Sequence, residues 1–242
     1  MTDDSALQPL PTDDEDTLWE KIHQFTHRHL GITSILYGFT HTRHMKDMVA
    51  LDRCFIVRHS HPQDYVEHFG HSSFLENDLC AVSLITGACP FLWHHAHGVA
   101  EATPAQKEQA RIDREFGMDV GVSLVFHFAQ ERGTAGIGLA ARWMDPSVFE
   151  ERWLREREVV MEYIDRFEPL MRKKMVANRL KLSQRQQQVL AYSAAGFLVK
   201  EVAELLKVKE GTVYNYLEAA RNALQASTTL EAVAKAYVYE LI

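Results

Sequence analysis

Between Leu182 and Leu241 the apolar residues recur at three- and four-residue intervals in four separate runs, and the second and third runs are joined by only about four residues. The runs are Leu182, Val189 and Leu190; Val199, Val202, Ala203 and Leu206; Val213, Leu217, Ala220 and Leu224; and Leu230, Val233, Ala234, Tyr237, Val238 and Leu241. That periodicity marks short amphipathic helices, each with one stripe to bury. Ser183 is placed to cap the first and Gly196 to stop it. Helices separated only by Lys207-Val208-Lys209-Glu210 must cross steeply, so the spacing predicts a helix-turn-helix, with Ala203 letting the pair approach and Val208 plugging the turn. The third helix, from about Gly211 to Leu224, then turns Thr212, Tyr214, Asn215, Glu218 and Arg221 outward along one side.

Charge divides the chain near the start of these helices. The net charge of −7 conceals 15 basic against 27 acidic residues up to Pro169, and 11 against 6 from Leu170 onward. A negative field repels phosphates and a positive one attracts them, so any contact with nucleic acid belongs to the last third. In a DNA groove Asn215 suits an adenine edge, Arg221 a phosphate or guanine, and Thr212 a phosphate oxygen at the helix N-terminus. Lys200, Lys209, Tyr214 and Glu218 complete the candidate DNA-binding set. The same lysines would also suit the solvated face of a helical bundle. All 13 histidines lie at or before His127, and six of the seven prolines precede Pro169. The polar run after Pro169, MRKKMVANRLK, reads either as a short basic linker or as the solvated end of a helix.

With 242 residues and 46% hydrophobic content, the chain has room for a second core ahead of the C-terminal helices. Leu18–Leu30, Asp64–Phe69, Pro104–Phe116 and Pro146–Arg172 read as helices. Ser34–Thr40, Cys54–Arg58, Val120–Phe128 and Gly136–Trp143 read as strands rich in branched and aromatic residues. The expected class is α/β: an α/β/α layered sensor domain around a central antiparallel sheet, followed by a small all-α, four-helix helix-turn-helix domain. A small ligand would sit between the sheet and a helical layer. The acidic opening residues are expected to be a frayed tail.

Several function classes fall away. No apolar run approaches the ~18–20 residues that cross a bilayer, and the N-terminus is acidic, so a cytoplasmic protein without an export signal or membrane partner is expected. Cys54, Cys80 and Cys89 are too few and too irregular for a disulfide framework or zinc ribbon, and read as buried thiols in a reducing compartment. His59, His61, His68 and His71 cluster, as do His94, His95 and His97, but neither spacing matches a closed metal site, and no metal or cofactor is expected. No GxSxG elbow, HExxH helix or phosphate-cradling glycine loop is present, so no catalytic residues are assigned and an enzyme is not expected.

The stretch Leu182-Ser183-x-Arg185, Val189-Leu190, Gly196, Lys200-Glu201-Val202-Ala203, Leu206, Thr212-Val213 and Leu217, closing with Ala232-Val233-Ala234, resembles the DNA-binding domain of LuxR-type transcriptional regulators. Gln186 and Gln188 stand where that family has glutamates, Lys207 for a turn glycine, Lys209 for a capping serine and Tyr216 for a histidine. Ahead of it, Pro62-Gln63-Asp64-Tyr65, Phe69, Asp78, Pro90-Phe91-Leu92-Trp93, Phe116-Gly117-Met118 and Gly121-Val122 resemble the acyl-homoserine-lactone-binding domain of LuxR-type quorum-sensing receptors. Of six strongly marked positions Asp78, Trp93 and Gly121 are kept, whereas Tyr65 stands for a tryptophan, Phe69 for a tyrosine and Leu79 for a proline, a divergent ligand-binding signature.

The resemblance implies ligand-binding roles for Asp78, Trp93, Tyr65, His61, Phe69 and Cys80. Asp78 would anchor a ligand amide N–H, because a buried carboxylate must find a donor. Trp93 would wall the head group. Tyr65 keeps a donor where an indole N–H is expected, at a different reach, and His61 stands where the family has a second tyrosine donor. Gly121 would permit close packing rather than touch ligand. The expected organisation is an acidic tail over 1–17, a small-molecule domain over 18–168, a linker over 169–178 and the DNA-binding domain over 179–242. The expected function is a homodimeric regulator that senses an acyl-homoserine lactone or related signal and binds an inverted repeat in double-stranded DNA, the helix Pro146–Arg172 forming the dimer seam. A regulator of the same fold that senses another molecule or none, and an adaptor that does not bind DNA, are the alternatives.

Overall fold

Asp14 opens the first helix by accepting the Thr17 amide at 2.8 Å, and Gly31, at a φ of 74°, closes it. This helix, α1 (Glu15–Leu30), begins a first compact unit, Met1–Met171; a second spans Arg172–Ile242. The computed structural model describes residues 4–41, 56–69, 89–98 and 102–242. In the first unit α1 is followed by β1 (Ser34–Thr40), β2 (Ile56–His59), α2 (Gln63–Phe69) and β3 (Phe91–Leu92). A 3₁₀ turn (Trp93–Gly98), α3 (Pro104–Glu115), β4 (Gly121–Phe128), β5 (Gly133–Ala140) and α4 (Pro146–Arg179), whose residues from Arg172 onward belong to the second unit, complete the series.

The five strands form one antiparallel sheet in the order β2-β1-β5-β4-β3. Successive side chains on a strand point to opposite faces, and the register gives the two faces different characters. On one face Ile35, Tyr37 and Phe39 of β1 align with Leu139, Ile137 and Ala135 of β5 and with Val122, Leu124 and Phe126 of β4. Helices α1 and α4 cover this face. Phe25 of α1 stacks on Tyr163 of α4 at 3.8 Å, Phe167 meets Tyr37 edge-on, and the Tyr37 hydroxyl donates to Glu168 Oε1 at 3.0 Å. The other face carries α2 and α3, whose Tyr65 and Ile112 cluster with Trp93, Met118, Phe116 and Ala140. The α/β/α layering expected from the alternating segments is therefore present.

Four expectations are corrected. Residues 4–14 are not a frayed tail: Leu7 is buried, its carbonyl accepts the Tyr163 hydroxyl at 2.9 Å, and Asp4 pairs with Arg28 and His29 at 2.6 and 2.8 Å. The acidic residues find basic partners in the last turn of α1, a complementarity that composition alone hides. Segment 169–178 is helical, as the final turns of α4, with Pro169 inside the helix. Cys89 is exposed, beside the short edge strand β3, where its Sγ accepts the Val125 amide at 3.2 Å. Cys54 and Cys80 lie outside the described residues. The last strand ends at Ala140 rather than Trp143, which takes a positive φ of 63° that no strand continues through.

The second unit holds α5 (Gln184–Ala194), α6 (Val199–Leu206), α7 (Glu210–Ala223) and α8 (Thr229–Val238). Ser183 and Gln186 form a capping box at α5, so Gln186 works where a glutamate would, and Gly196 follows the helix at a φ of 85°. At the end of α6 Lys207 adopts the left-handed conformation (φ 55°, ψ 46°), and the Val208 amide donates back to the Ala203 carbonyl at 3.0 Å. Lys209 then caps α7 without a side-chain hydrogen bond. Val189, Leu190, Val202, Ala203, Val213, Leu217, Ala220 and Leu224 are buried together with Ala232 and Ala236 of α8. Among the described residues no helix is long and apolar enough to cross a membrane.

A buried lysine completes this unit. Lys235 is 4% exposed; its ammonium donates to the carbonyls of Gln225 (2.8 Å) and Leu224 (3.3 Å) at the C-terminus of α7 and pairs with Glu231 at 2.8 Å. Cations there complement the helix dipole and satisfy otherwise orphaned carbonyls. Lys235→Met, which keeps the bulk and removes the donors, is expected to destabilise the unit by about 2 kcal/mol, read as lost hydrogen-exchange protection of the α7 amides. Unchanged protection would show that water replaces the lysine without cost.

Candidate ligand and DNA sites

The second face of the sheet is nearly stripped of side chains. Across β1, β5 and β4 its rows read Ser34, Ala140, Gly121; Leu36, Gly138, Ser123; and Gly38, Gly136, Val125. Trp93, 8% exposed, lies on this floor. A Cβ on Gly121 would come within 2.8 Å of the indole, and one on Gly138 within 3.2 Å, so both positions must be small for the ring to settle. A Cβ on Gly121 would also collide with the Leu139 carbonyl. The indole N–H donates to Ser123 Oγ at 2.7 Å, which fixes the ring's orientation. Over Gly136, by contrast, the nearest atom to an added Cβ among the described residues is the Leu124 carbonyl oxygen at 3.7 Å.

Tyr65 belongs to the tryptophan's cluster and His61 stands beside it. Tyr65, 5% exposed, is edge-on to His61 and Phe116 and donates its hydroxyl to Asp113 Oδ1 at 2.8 Å. His61 Nδ1 shares a hydrogen bond of 2.5 Å with Ser34 Oγ, and its ring stacks against that of His59 with 28° between the planes. Burial, with His59 and Arg142 adding to it, pulls the His61 imidazole down to about 4, so it is neutral near pH 7. The structure thus brings Trp93, Tyr65 and His61 to one side of the sheet. Phe69 is the last residue of α2, but its side chain, Asp78 and Cys80 lie outside the described residues. Asp113, Gln109, Ser34, Ser123 and Gly138 went unnoticed in the sequence. The signal was present for the floor, where Gly136-x-Gly138 and Gly121-x-Ser123 repeat small residues at period two.

A second histidine grouping forms on the 3₁₀ turn. His94 and His95 approach Glu150 of α4 at 3.5 and 3.7 Å, and with it make a set of metal-ligating atoms within 4.8 Å of one another. Glu150 lies too far along the chain for any spacing rule to have paired it with them.

Below its unperturbed value a buried imidazole costs stability, because the unfolded chain takes up a proton that the folded one refuses. With the folded value depressed, stability is complete above about pH 6.5 and is lost as the pH falls towards 4, at no more than about 1.4 kcal/mol per pH unit. His61→Gln, which retains a partner for Ser34, is expected to flatten that part of the pH dependence in chemical denaturation at pH 7 and pH 5. Equal slopes for both proteins would mean that His61 titrates normally.

In the second unit the tight α6–α7 pair has the arrangement expected of a helix-turn-helix. Val213, Leu217, Ala220 and Leu224 face the core, while Tyr214, Asn215 and Glu218 are exposed on the opposite side of α7. Lys200 and Lys209 are also exposed. Thr212 is half-buried, and so is Arg221, whose Nε is enclosed without a hydrogen-bond partner among the described residues.

Residues 14–164 match the family model described as an autoinducer binding domain, and residues 180–236 match bacterial regulatory proteins of the luxR family. The chain is 28% identical over 182 residues to the HTH-type quorum sensing-dependent transcriptional regulator RpaR of Rhodopseudomonas palustris, covering 75% of this chain and 72% of RpaR. It is 24% identical over 192 residues to the transcriptional activator protein SolR of Ralstonia nicotianae, covering 76% of each. The fold is similar to that of SdiA in complex with octanoyl-rac-glycerol, with a TM-score of 0.57 at 14% identity over 98% of this chain and 92% of SdiA. A crystal structure of Escherichia coli SdiA gives 0.55 at 16% identity, over 96% and 93%. Both domains and both relatives are those of transcriptional regulators rather than enzymes. The chain belongs to the LuxR family: it is a ligand-responsive, DNA-binding transcriptional regulator built from an autoinducer-binding domain and a luxR-type helix-turn-helix.

Proposed function

We propose that the chain is a cytoplasmic, homodimeric regulator whose signal is an acyl-homoserine lactone or a related N-acyl amide, and whose DNA site is an inverted repeat. The observation that carries the signal side is the small-residue sheet face, bounded by Trp93, Tyr65 and His61 and open over Gly136 among the described residues. Such a floor, apolar and flanked by a few polar groups, suits an acyl chain with a polar head. On this reading Asp78, Phe69 and Cys80 are ligand-binding residues as well, the Asp78 carboxylate accepting the amide N–H. SdiA, similar in fold, was solved with octanoyl-rac-glycerol, an acyl chain with a hydroxyl-bearing head. Ligand filling this space acts by mass action, stabilising the folded sensor by about 2.7 kcal/mol at 100 times the dissociation constant.

On the DNA side, Tyr214, Asn215 and Glu218 read base edges, and Lys200, Lys209, Thr212 and Arg221 engage phosphates. Dimerisation sets two such helices about one helical turn apart. Exposed apolar side chains support a dimer: Val148, Leu154 and Val159 on α4, and Leu230 and Tyr237 two turns apart on α8. The match to a DNA-binding family model removes the adaptor alternative.

Thermal melts with a panel of N-acyl-homoserine lactones and N-acyl amides are expected to show a rise with at least one member that Asp78→Asn abolishes; an unchanged rise in that variant would refute the anchor. Selection from random duplexes is expected to return an inverted repeat. Asn215→Ala is expected to weaken that site by about tenfold or more while leaving an unrelated duplex unaffected. Equal losses on both would reassign Asn215.

A further inference from the structure

His94 and His95 are neighbours on the 3₁₀ turn that begins at Trp93, and they meet a carboxylate that lies 56 residues beyond His94 in the chain. Their Nε2 atoms stand 3.5 and 3.7 Å from Oε2 and Oε1 of Glu150. One donor atom from each of the three side chains falls within 4.8 Å of the other two. A strong hydrogen bond between a ring nitrogen and a carboxylate runs at about 2.7–2.9 Å, so these contacts are too long to explain why the groups converge. Ligands on one tetrahedral zinc ion, with bonds of about 2.0–2.1 Å, stand about 3.3–3.4 Å apart. The separations at Glu150 are closer to that spacing than to a direct bond.

Exposure and charge agree with an ion. The His94 side chain is 13% exposed, whereas those of His95 and Glu150 are 54% and 41% exposed, so the group is anchored on one side and open on the other. His94 Nδ1 is enclosed without a hydrogen-bond partner among the described residues, which leaves Nε2 as the nitrogen it can offer. Among the described residues no lysine or arginine pairs with Glu150, so its charge is not already met by a permanent cation. Two imidazole nitrogens and one carboxylate oxygen suit zinc, nickel or copper(II); calcium and magnesium ask for oxygen throughout.

We propose that His94, His95 and Glu150 hold a divalent ion of the zinc class, which fastens the turn carrying Trp93 to the N-terminal turns of α4. Water on the open side completes the coordination. Binding through Nε2 leaves the second nitrogen of His94 without an acceptor among the described residues, and such missing outer partners lower affinity by about 10–100-fold. The expected dissociation constant is therefore about 10 µM rather than the far tighter values of closed structural sites.

The test titrates zinc chloride calorimetrically into the full chain, first stripped with a chelator, with magnesium chloride as the contrasting probe. The unaltered chain is expected to take up one zinc ion and no magnesium at these concentrations. His95→Ala and Glu150→Gln both alter side chains that are substantially exposed, so each is expected to melt like the parent without metal and to bind zinc about tenfold or more weakly. His127→Ala, at an exposed histidine on β4, is expected to bind as the parent does. Hydrogen exchange over residues 91–95 is expected to slow on adding zinc to the parent and to stay unchanged in Glu150→Gln. No zinc uptake below about 100 µM overturns the site. So does an affinity that either His95→Ala or Glu150→Gln leaves unaltered, or a loss in His127→Ala as large as theirs, since each would place the ion on other donors.

Discussion

The sensor depends on a tryptophan lying flat against a sheet that has almost no side chains beneath it. Trp93 settles on Gly121 and Gly138 and is turned by its hydrogen bond to Ser123, and any Cβ at either glycine would lift it. The opposite face makes this economy possible. There Ile35, Tyr37, Phe39, Ile137, Leu139 and Leu124 are buried under α1 and α4, so the sheet is held firmly from one side. Polar groups that would be costly to bury alone are paired on the bare side: Tyr65 with Asp113, Asp113 with Gln109, and His61 with Ser34.

The DNA-binding unit is built on a different economy, in which backbone geometry at the turn is met by residues that do not favour it. Lys207 takes a left-handed conformation that glycine adopts more readily, and Lys209 caps a helix without a side-chain acceptor. Packing of α7 against its neighbours and the Lys235 clasp at its far end offset these local costs. Both lysines add positive charge beside α7, where phosphates would lie.

What the sequence disclosed was mostly local. Ser183 and Gly196 mark helix ends by chemistry confined to one turn, and the burial of Val213, Leu217, Ala220 and Leu224 follows from helical period alone. Strand residues were equally plain in β1, where branched and aromatic side chains crowd seven positions. What stayed hidden was set by distant partners. The docking of Leu7 depends on Tyr163, the position of Tyr65 on Asp113, and the surroundings of His94 and His95 on Glu150. Lys235 was passed over because it sits among apolar neighbours, and only the carbonyls at the end of α7 explain why a lysine belongs there. The helix through 169–178 was ambiguous because a charged, proline-led run suits a linker and a solvated helix equally.

The central claim is that the bare face of the sheet holds one small molecule per chain. Native mass spectrometry of the purified protein tests it most directly, alongside Gly136→Leu, which fills the open part of the floor where an added Cβ meets nothing closer than 3.7 Å among the described residues. The unaltered chain is expected to carry, or to take up from N-acyl amides, a single bound molecule that the folded variant lacks. A chain that stays bare at saturating ligand, or a variant that binds as well as the parent, would contradict it.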